Sequence, residues 1–221
     1  MKSTWKADAV ALGMIAAMLV LAAVSWNAAP DRIPVHWDWT GQPDRFGGRF
    51  EGLFGLPLAA LGIYALLRVL PRLDPRRRNY EAFATSFAKI RMLVTGVFLG
   101  LQGMVLLWIR GERDLNGFLV AGAGLALAGL GNYLPKIKSN WFVGVRTPWT
   151  LDSDASWRQT HRLAGWLLSI GGALTFATAL LWPSVGTSVL VGVLLATVGI
   201  SVVYSYFAWK GDETRRAARP V

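Results

Sequence analysis

The stretch VGTSVLVGVLLATVGISVVYSYFAW, residues 185–209, runs for 25 residues without an Asp, Glu, Lys or Arg. A helix needs about 20 apolar residues to cross the roughly 30 Å of hydrocarbon in a bilayer. The stretch therefore predicts a transmembrane helix. It decides the fold class, because a chain that is 53% hydrophobic and contains such a run is typical of membrane proteins.

Five further runs of similar length are nearly free of charge, at 9–29, 53–70, 92–109, 115–134 and 163–182. With the first run they predict an all-α polytopic membrane protein with six transmembrane helices. We expect three segments: 1–70, a helix pair with an ordered extracytoplasmic loop at 30–50; 71–114, a basic cytoplasmic loop and helix 3; and 115–221, helices 4 to 6 with a cytoplasmic loop at 131–162.

The orientation follows from the basic residues, which cytoplasmic loops retain. With the N-terminus inside, 18 of the 23 Lys and Arg residues lie on the inner side. We therefore expect both termini to be cytoplasmic. The first run could instead be a cleaved signal peptide, since Ala28 and Ala29 are small, but its length is typical of a full span.

The composition excludes several classes of function. A net charge of +10 would suggest nucleic acid in a soluble protein, but here the excess lies beside membrane ends, where anionic lipid headgroups attract it. We expect no direct contact with nucleic acid. The absence of cysteine removes disulfides, thiol nucleophiles and cysteine metal sites, and we expect no cofactor.

Two spans have distinctive patterns. Tyr80, Phe83, Phe87 and Ile90 recur at helical spacing and predict that helix 3 begins early, as an amphipathic extension from the membrane. Helix 4 is rich in glycine, which permits close approach of helices in lipid: Gly117, Gly122, Gly124, Gly129 and Gly131. Its GAGLAL motif lacks both the third glycine and the preceding strand of a dinucleotide site.

The outer loop at 30–50 alternates apolar and polar residues around Trp37, which predicts a short strand in an ordered cap. Candidate functional residues here are His36, Trp37, Gly41 and Asp44. A calcium loop beginning at Asp38 would need glycine at its sixth position and glutamate at its twelfth, and this chain has Pro43 and Arg49. His36 beside Asp38 could bind a metal, but a structural, hydrogen-bonded histidine is the commoner case, and we assign no metal site.

The inner loop begins where Pro135 stops helix 4, with Lys136 beside the anionic leaflet. Asp152 or Ser153 is expected to cap the next helix, on which Trp157 and His161 share a face. Two interpretations stay open. The loop is either an aromatic and basic anchor at headgroup level, or a binding surface in which Arg146 recognises a carboxylate or phosphate.

The inner loop resembles the SdpI family of bacterial membrane proteins. The pattern GN, PK, an asparagine, GVR, TPWT and a helix with W and THR is formed by Gly131, Asn132, Pro135, Lys136, Asn140, Gly144, Arg146, Thr147, Pro148, Trp149, Thr150, Trp157, Thr160, His161 and Arg162. The outer loop, IPVHWDWTGQPDRFGG, is similar to a conserved domain of unknown function at the N-terminus of this family.

The resemblance implies a multi-pass protein of the bacterial cytoplasmic (inner) membrane that protects its cell from a secreted toxic peptide and, in one member, holds a small repressor at the membrane. It assigns partner binding to Asn132, Pro135, Lys136, Asn140, Gly144, Arg146, Pro148, Trp149, Trp157, His161 and Arg162. The partners it implies are a toxin peptide and a cytoplasmic transcriptional repressor.

The alternative is a surface-sited membrane enzyme, or a transporter or channel for a small solute. Its candidate groups would be His36, Asp38, Asp44 and His161. The predicted topology separates His36 from His161 by a bilayer, so the two cannot share a site. The spans carry almost no ionisable residue, whereas ion pathways normally contain them. We therefore assign no catalytic residue and expect a protein that acts by binding.

Overall fold

The computed structural model describes residues 4–38, 42–112 and 115–213. Within these ranges, six helices are long and apolar enough to cross a membrane. They are α1 (Trp5–Val24), α2 (Arg49–Leu73), α3 (Asn79–Ile109), α4 (Asn116–Tyr133), α6 (Asp154–Leu181) and α7 (Pro183–Lys210). The prediction of six transmembrane helices is confirmed, and the protein is a multi-pass membrane protein.

The remaining elements lie at the two ends of the helix bundle. A hairpin of β1 (Ile33–Trp37) and β2 (Pro43–Gly47) connects α1 to α2. At the other end, a 3-10 turn (Leu134–Lys136) and the short helix α5 (Pro148–Asp152) lie between α4 and α6. We call these ends the hairpin side and the loop side; the loop side also carries the α2–α3 turn and the end of α7.

The glycines of α4 allow it to pack closely on α6. A Cβ atom at Gly124 would lie 2.6 Å from the backbone nitrogen of Phe176, and one at Gly131 would lie 2.6 Å from the carbonyl oxygen of Gly165. Backbones this close are typical of helix association in lipid, where burial of large apolar side chains contributes little. The packing role predicted for the glycines is confirmed at these positions, but it is wrong for Gly122, around which there is open space.

Helix α3 begins at Asn79, as its apolar spacing predicts, and departs from helical geometry at Phe83 (φ −124°, ψ 21°). Its early apolar face does not extend away from the protein. Tyr80, Phe83, Phe87 and Ile90 are buried in one cluster with side chains of the α4–α6 loop and α6, among them Ile137 and Trp157. The start of α3 therefore forms one wall of the loop side.

The outer loop forms a two-stranded antiparallel hairpin, in which Ile33 pairs with Gly47. The strand around Trp37 is confirmed. The hairpin adds two short strands to the otherwise helical fold. Pro43 is tolerated there because it is the first residue of its strand. Gly41 lies outside the described residues.

Candidate functional site

Local sequence signals shape the chain between α4 and α6. Ser153 caps α6, since its Oγ accepts a hydrogen bond from the amide of Ser156 at 2.9 Å, which confirms the predicted cap. The motif TPWT forms α5, which sequence reasoning missed. Thr147 and Thr150 form a reciprocal capping box there, and Pro148 occupies the first helical turn, where its missing N–H costs nothing.

Asn140 organises the first half of this loop and is fully buried. Its Oδ1 accepts from the amides of Phe142 (2.9 Å) and Val143 (2.7 Å) and from the hydroxyl of Tyr80 (3.2 Å). Its Nδ2 donates to the carbonyls of Lys138 (2.9 Å) and Val143 (3.0 Å). Both the oxygen and the nitrogen of the Asn140 side chain are hydrogen-bonded, so the backbone around it is held in one conformation.

The turn between α2 and α3 is tied to the same loop. Asp74 is buried, and its Oδ2 accepts from the amide of Trp141 at 2.9 Å and from the hydroxyl of Tyr80 at 3.0 Å. Arg76 donates to Ser139 Oγ and, at 2.7 Å, to the carbonyl of Leu151. Sequence reasoning missed Asp74 and Arg76 because their partners in the loop lie more than 60 residues away in the chain.

Trp157 and His161 brace the loop from within. Trp157 Nε1 donates to the carbonyl of Ile137 at 2.8 Å. The rings of Trp157 and His161 stack with centroids 4.0 Å apart. The amide of Val145 donates to His161 Nε2 at 3.0 Å, so the proton lies on Nδ1, which donates to the carbonyl of Trp157 at 2.8 Å. Both ring nitrogens are thereby occupied.

Gly144 is required where the loop passes over His161. Its φ of +114° lies outside the range that other residues readily adopt, and a Cβ atom there would overlap His161 Nε2. The candidate residues Asn140, Trp157 and His161 are therefore in the interior of the loop and not on its surface, and Gly144 is half-buried. Helical spacing correctly placed Trp157 and His161 on one face of α6, but the 134–153 loop covers that face.

The end of α7 supports the second half of the loop. Ser153 Oγ donates to Asp212 Oδ2 at 2.6 Å, and Trp209 Nε1 donates to Asp152 Oδ2 at 2.7 Å. Trp149 is half-buried against the ring of Tyr206, with centroids 5.4 Å apart. The loop is thus held by elements from both halves of the chain.

The exposed candidate residues fall into two groups. Asn132, Pro135, Lys136 and Arg162 line one cleft of about 310 Å³ between the end of α4 and α6. The second group contains Arg146 and Pro148, which are exposed next to half-buried Trp149. The guanidinium of Arg146 donates to the backbone carbonyl of Trp141 at 2.9 Å, which orients the arginine, and Trp141 itself is 46% exposed.

On the hairpin side, His36 Nδ1 and Asp44 Oδ1 are 2.6 Å apart and both side chains are largely exposed. The carboxylate of Asp38 instead accepts from the amide of Gln42 at 3.0 Å. Across residues 4–38, 42–112 and 115–213, no three His, Asp or Glu side chains are grouped as a metal site. His36 and His161 lie at opposite ends of the bundle, as the predicted topology requires.

One buried ion pair within the spans was missed by sequence reasoning. Arg91 Nη2 of α3 lies 2.6 Å from Asp8 Oδ1 of α1, and the two side chains are only 4% and 13% exposed. The hydroxyl of Tyr64 in α2 donates to the same carboxylate oxygen at 3.2 Å. The available signal was a carboxylate in the first turn of α1, directly before an uncharged apolar run. The cluster joins α1, α2 and α3.

Comparison with known proteins agrees with the sequence motifs. Residues 136–206 match the SdpI/YfhL protein family, and residues 13–61 match a domain of unknown function, DUF1648. The chain is 21% identical over 205 residues to "Immunity protein SdpI" of Bacillus subtilis (strain 168), covering 93% of this chain and 97% of that protein. No solved structure matches the chain. The resemblance predicted from the inner loop is confirmed.

Proposed function

We propose that this relative of the SdpI/YfhL proteins is a membrane immunity protein that acts by binding a secreted antimicrobial peptide. The observation that carries the proposal is the braced loop at 134–153, most of which lies in the matched segment. Its backbone is held by buried side chains, while Arg146 and Trp141 stay exposed. A preorganised cation bonded to the backbone of an exposed tryptophan is well suited to recognition, since little ordering entropy is lost on binding.

We further propose that the loop side and both termini face the cytoplasm, so that a secreted peptide would meet Arg146 only after it has entered the membrane. The support is the concentration of Lys and Arg on that side, where the positive-inside rule expects them. Reporter fusions after Lys210 and after Asp38 test this orientation. We expect only the second to be active in a periplasmic assay, and periplasmic activity after Lys210 would reverse the topology.

This orientation favours a second candidate function, the sequestration of a cytoplasmic repressor at the membrane. The exposed pair of Arg146 and Trp141 would then face the compartment in which a repressor resides. Peptide and repressor binding are separable, because killing assays report the first, and membrane recruitment of a tagged repressor reports the second.

Deletion and complementation test the immunity proposal. Strains would carry no copy, wild type, Arg146→Ala, Arg146→Lys or Arg77→Ala, and would be exposed to the peptide toxins of related bacteria. Arg77 is an exposed arginine on the same side but outside the loop, so its variant controls for loss of one positive charge. Immunoblots of membrane fractions confirm equal amounts of each variant.

We expect wild type and Arg77→Ala to protect, and Arg146→Ala to lose at least tenfold in protection, which corresponds to about one or two charge-assisted hydrogen bonds. Arg146→Lys should fall between them, since it keeps the charge but not the planar fork. Equal sensitivity of all strains to every toxin would overturn the immunity proposal. Full protection by Arg146→Ala would remove Arg146 from the recognition surface.

A further inference from the structure

A basic cleft on the loop side is not part of the recognition surface around Arg146. It has a volume of about 710 Å³, which lies in the range of small-ligand sites. Lys138, Arg158 and Arg162 line it, together with Pro135, Ile137, Gln159, Leu163, Trp166 and Tyr204. None of these lining residues is acidic, so the cleft concentrates positive charge.

The three cations have no partner among the residues that the structure describes. Three other basic residues on this side are engaged: Arg76 binds the loop, Arg91 pairs with Asp8, and Lys136 lies over the ring of Tyr133. The side chains of Lys138, Arg158 and Arg162 make no hydrogen bond or ion pair within the described chain. Three unpaired cations around one concavity repel one another, and an anion between them would relieve that repulsion.

The chemistry of the cleft fits a phosphate group. Arg158 and Arg162 are one helical turn apart on α6, so their planar guanidinium groups can bind adjacent oxygens of one tetrahedral anion. Lys138 supplies a third charge from the 134–153 loop. The hydroxyl of Tyr204 donates to Gln159 Oε1 at 3.4 Å, which leaves the NH2 group of Gln159 as an uncharged donor at the rim, as the polar part of a headgroup would require.

The surface below the cleft identifies the rest of the ligand. At four-residue steps along α6, Arg158 and Arg162 are followed by Trp166, Ile170 and Leu174. Trp166 and Ile170 are each 63% exposed and Leu174 is 52% exposed. The order of cation, indole and aliphatic side chain matches the order of headgroup, interface and hydrocarbon in a bilayer. If the anion in this cleft is the headgroup of a lipid, its acyl chains would lie along α6.

We propose that this cleft is a specific site for an anionic glycerophospholipid, with its phosphate between Lys138, Arg158 and Arg162 and its acyl chains against Trp166 and Ile170. Basic pockets between transmembrane helices on the cytoplasmic side are known to hold such headgroups. The site differs from the general attraction of basic loops to the membrane, because it predicts saturable binding of one lipid. It does not depend on the proposed immunity function.

Native mass spectrometry of the purified full chain in detergent tests the site. The probes are phosphatidylglycerol, phosphatidylcholine with the same acyl chains, and glycerol 3-phosphate as a soluble phosphate. The test variant is Arg158→Gln/Arg162→Gln. The matched control, Arg77→Gln/Arg78→Gln, removes the same charge from exposed arginines of the α2–α3 turn. Thermal unfolding verifies that both double variants fold.

We expect one phosphatidylglycerol to bind at least tenfold tighter than phosphatidylcholine, and the Arg158/Arg162 variant to lose most of this preference while the control keeps it. An equal loss in both variants would overturn the site in favour of diffuse electrostatic attraction. Equal binding of the two lipids would overturn it as well. If glycerol 3-phosphate binds as tightly as phosphatidylglycerol, the cleft recognises a soluble phosphate compound and the lipid proposal is wrong.

Discussion

The two ends of the bundle are ordered in different ways. The hairpin side is held by its own strand pairing and by exposed ion pairs such as Arg45–Glu51 and Arg49–Asp31. The loop side has little regular structure of its own, and it is held by buried polar side chains from the loop and from other elements. Asp74, Asn140 and His161 are each at most 2% exposed and each bonds the loop backbone.

This difference has energetic consequences. A buried polar group that loses its partner costs about 1–3 kcal/mol, whereas an exposed ion pair contributes at most about 1 kcal/mol. The loop side should therefore be sensitive to single substitutions at polar positions, and the hairpin side should tolerate them. A rigid loop side also favours recognition by preformed geometry, which is what the proposed function requires of it.

The largest effect is expected for Gly144→Ala. The substitution puts a side chain at φ +114° and against His161, so the Val145–His161 hydrogen bond must break. We expect a loss of about 3 kcal/mol in the free energy of unfolding, measured by thermal unfolding in detergent. Gly122→Ala, with open space around the new methyl group, is the control and should not destabilise. Wild-type stability of Gly144→Ala would contradict the bracing of the loop by His161.

A smaller loss is expected for Asn140→Ala, which leaves the amides of Phe142 and Val143 without their acceptor. Since water can enter a loop at the bundle end and replace part of these bonds, we expect about 2 kcal/mol. Asn132→Ala is the matched control, because that amide is exposed and accepts a long hydrogen bond of 3.4 Å from Lys136 Nζ. If both variants lose the same stability, the hydrogen bonds of the buried Asn140 amide contribute no more than those of an exposed amide, and they do not explain the order of the loop side.

Sequence reasoning recovered features with local causes. Six spans follow from apolar runs of bilayer length, and the Ser153 cap and the early start of α3 follow from signals within one or two turns. It also found the residues of the inner loop through their spacing. It could not assign their roles, because the partners of Asn140 and Trp157 include Tyr80 and Ile137, 60 and 20 residues away.

The features that sequence reasoning did not find also depend on partners that are distant in the sequence. Asp74 and Arg76 belong to a basic turn, and its composition indicates only that this turn stays on the cytoplasmic side of the membrane. The structure shows in addition that Asp74 binds Trp141, which is distant in the sequence. Strand β2 was missed because Pro43 and Gly47 are turn residues by propensity, and only pairing with β1 makes them a strand. The basic cleft joins residues of three elements, so no single motif could reveal it.

On the hairpin side, Ile33→Val tests whether apolar packing matters there. Ile33 is fully buried against Leu53 and Val105, so loss of one methylene should cost about 1 kcal/mol. The effect should be local. We expect faster hydrogen exchange or proteolysis in β1 and β2, with unchanged protection of the 134–153 loop. Equal loosening at both ends would show that the two sides are coupled through the bundle.

The smallest effect is expected for Arg45→Gln, which removes the 2.8 Å pair between Arg45 Nη1 and Glu51 Oε1. The two side chains are 61% and 48% exposed, so water solvates both charges once the pair is broken, and ordering the long arginine side chain costs entropy. We therefore expect a change of about 0.5 kcal/mol or less in the free energy of unfolding, decreasing further in salt. Thermal unfolding at low and high ionic strength measures it. A loss as large as that of Asn140→Ala would mean that exposed charges hold the hairpin as firmly as buried amides hold the loop, and the contrast between the two ends would fail.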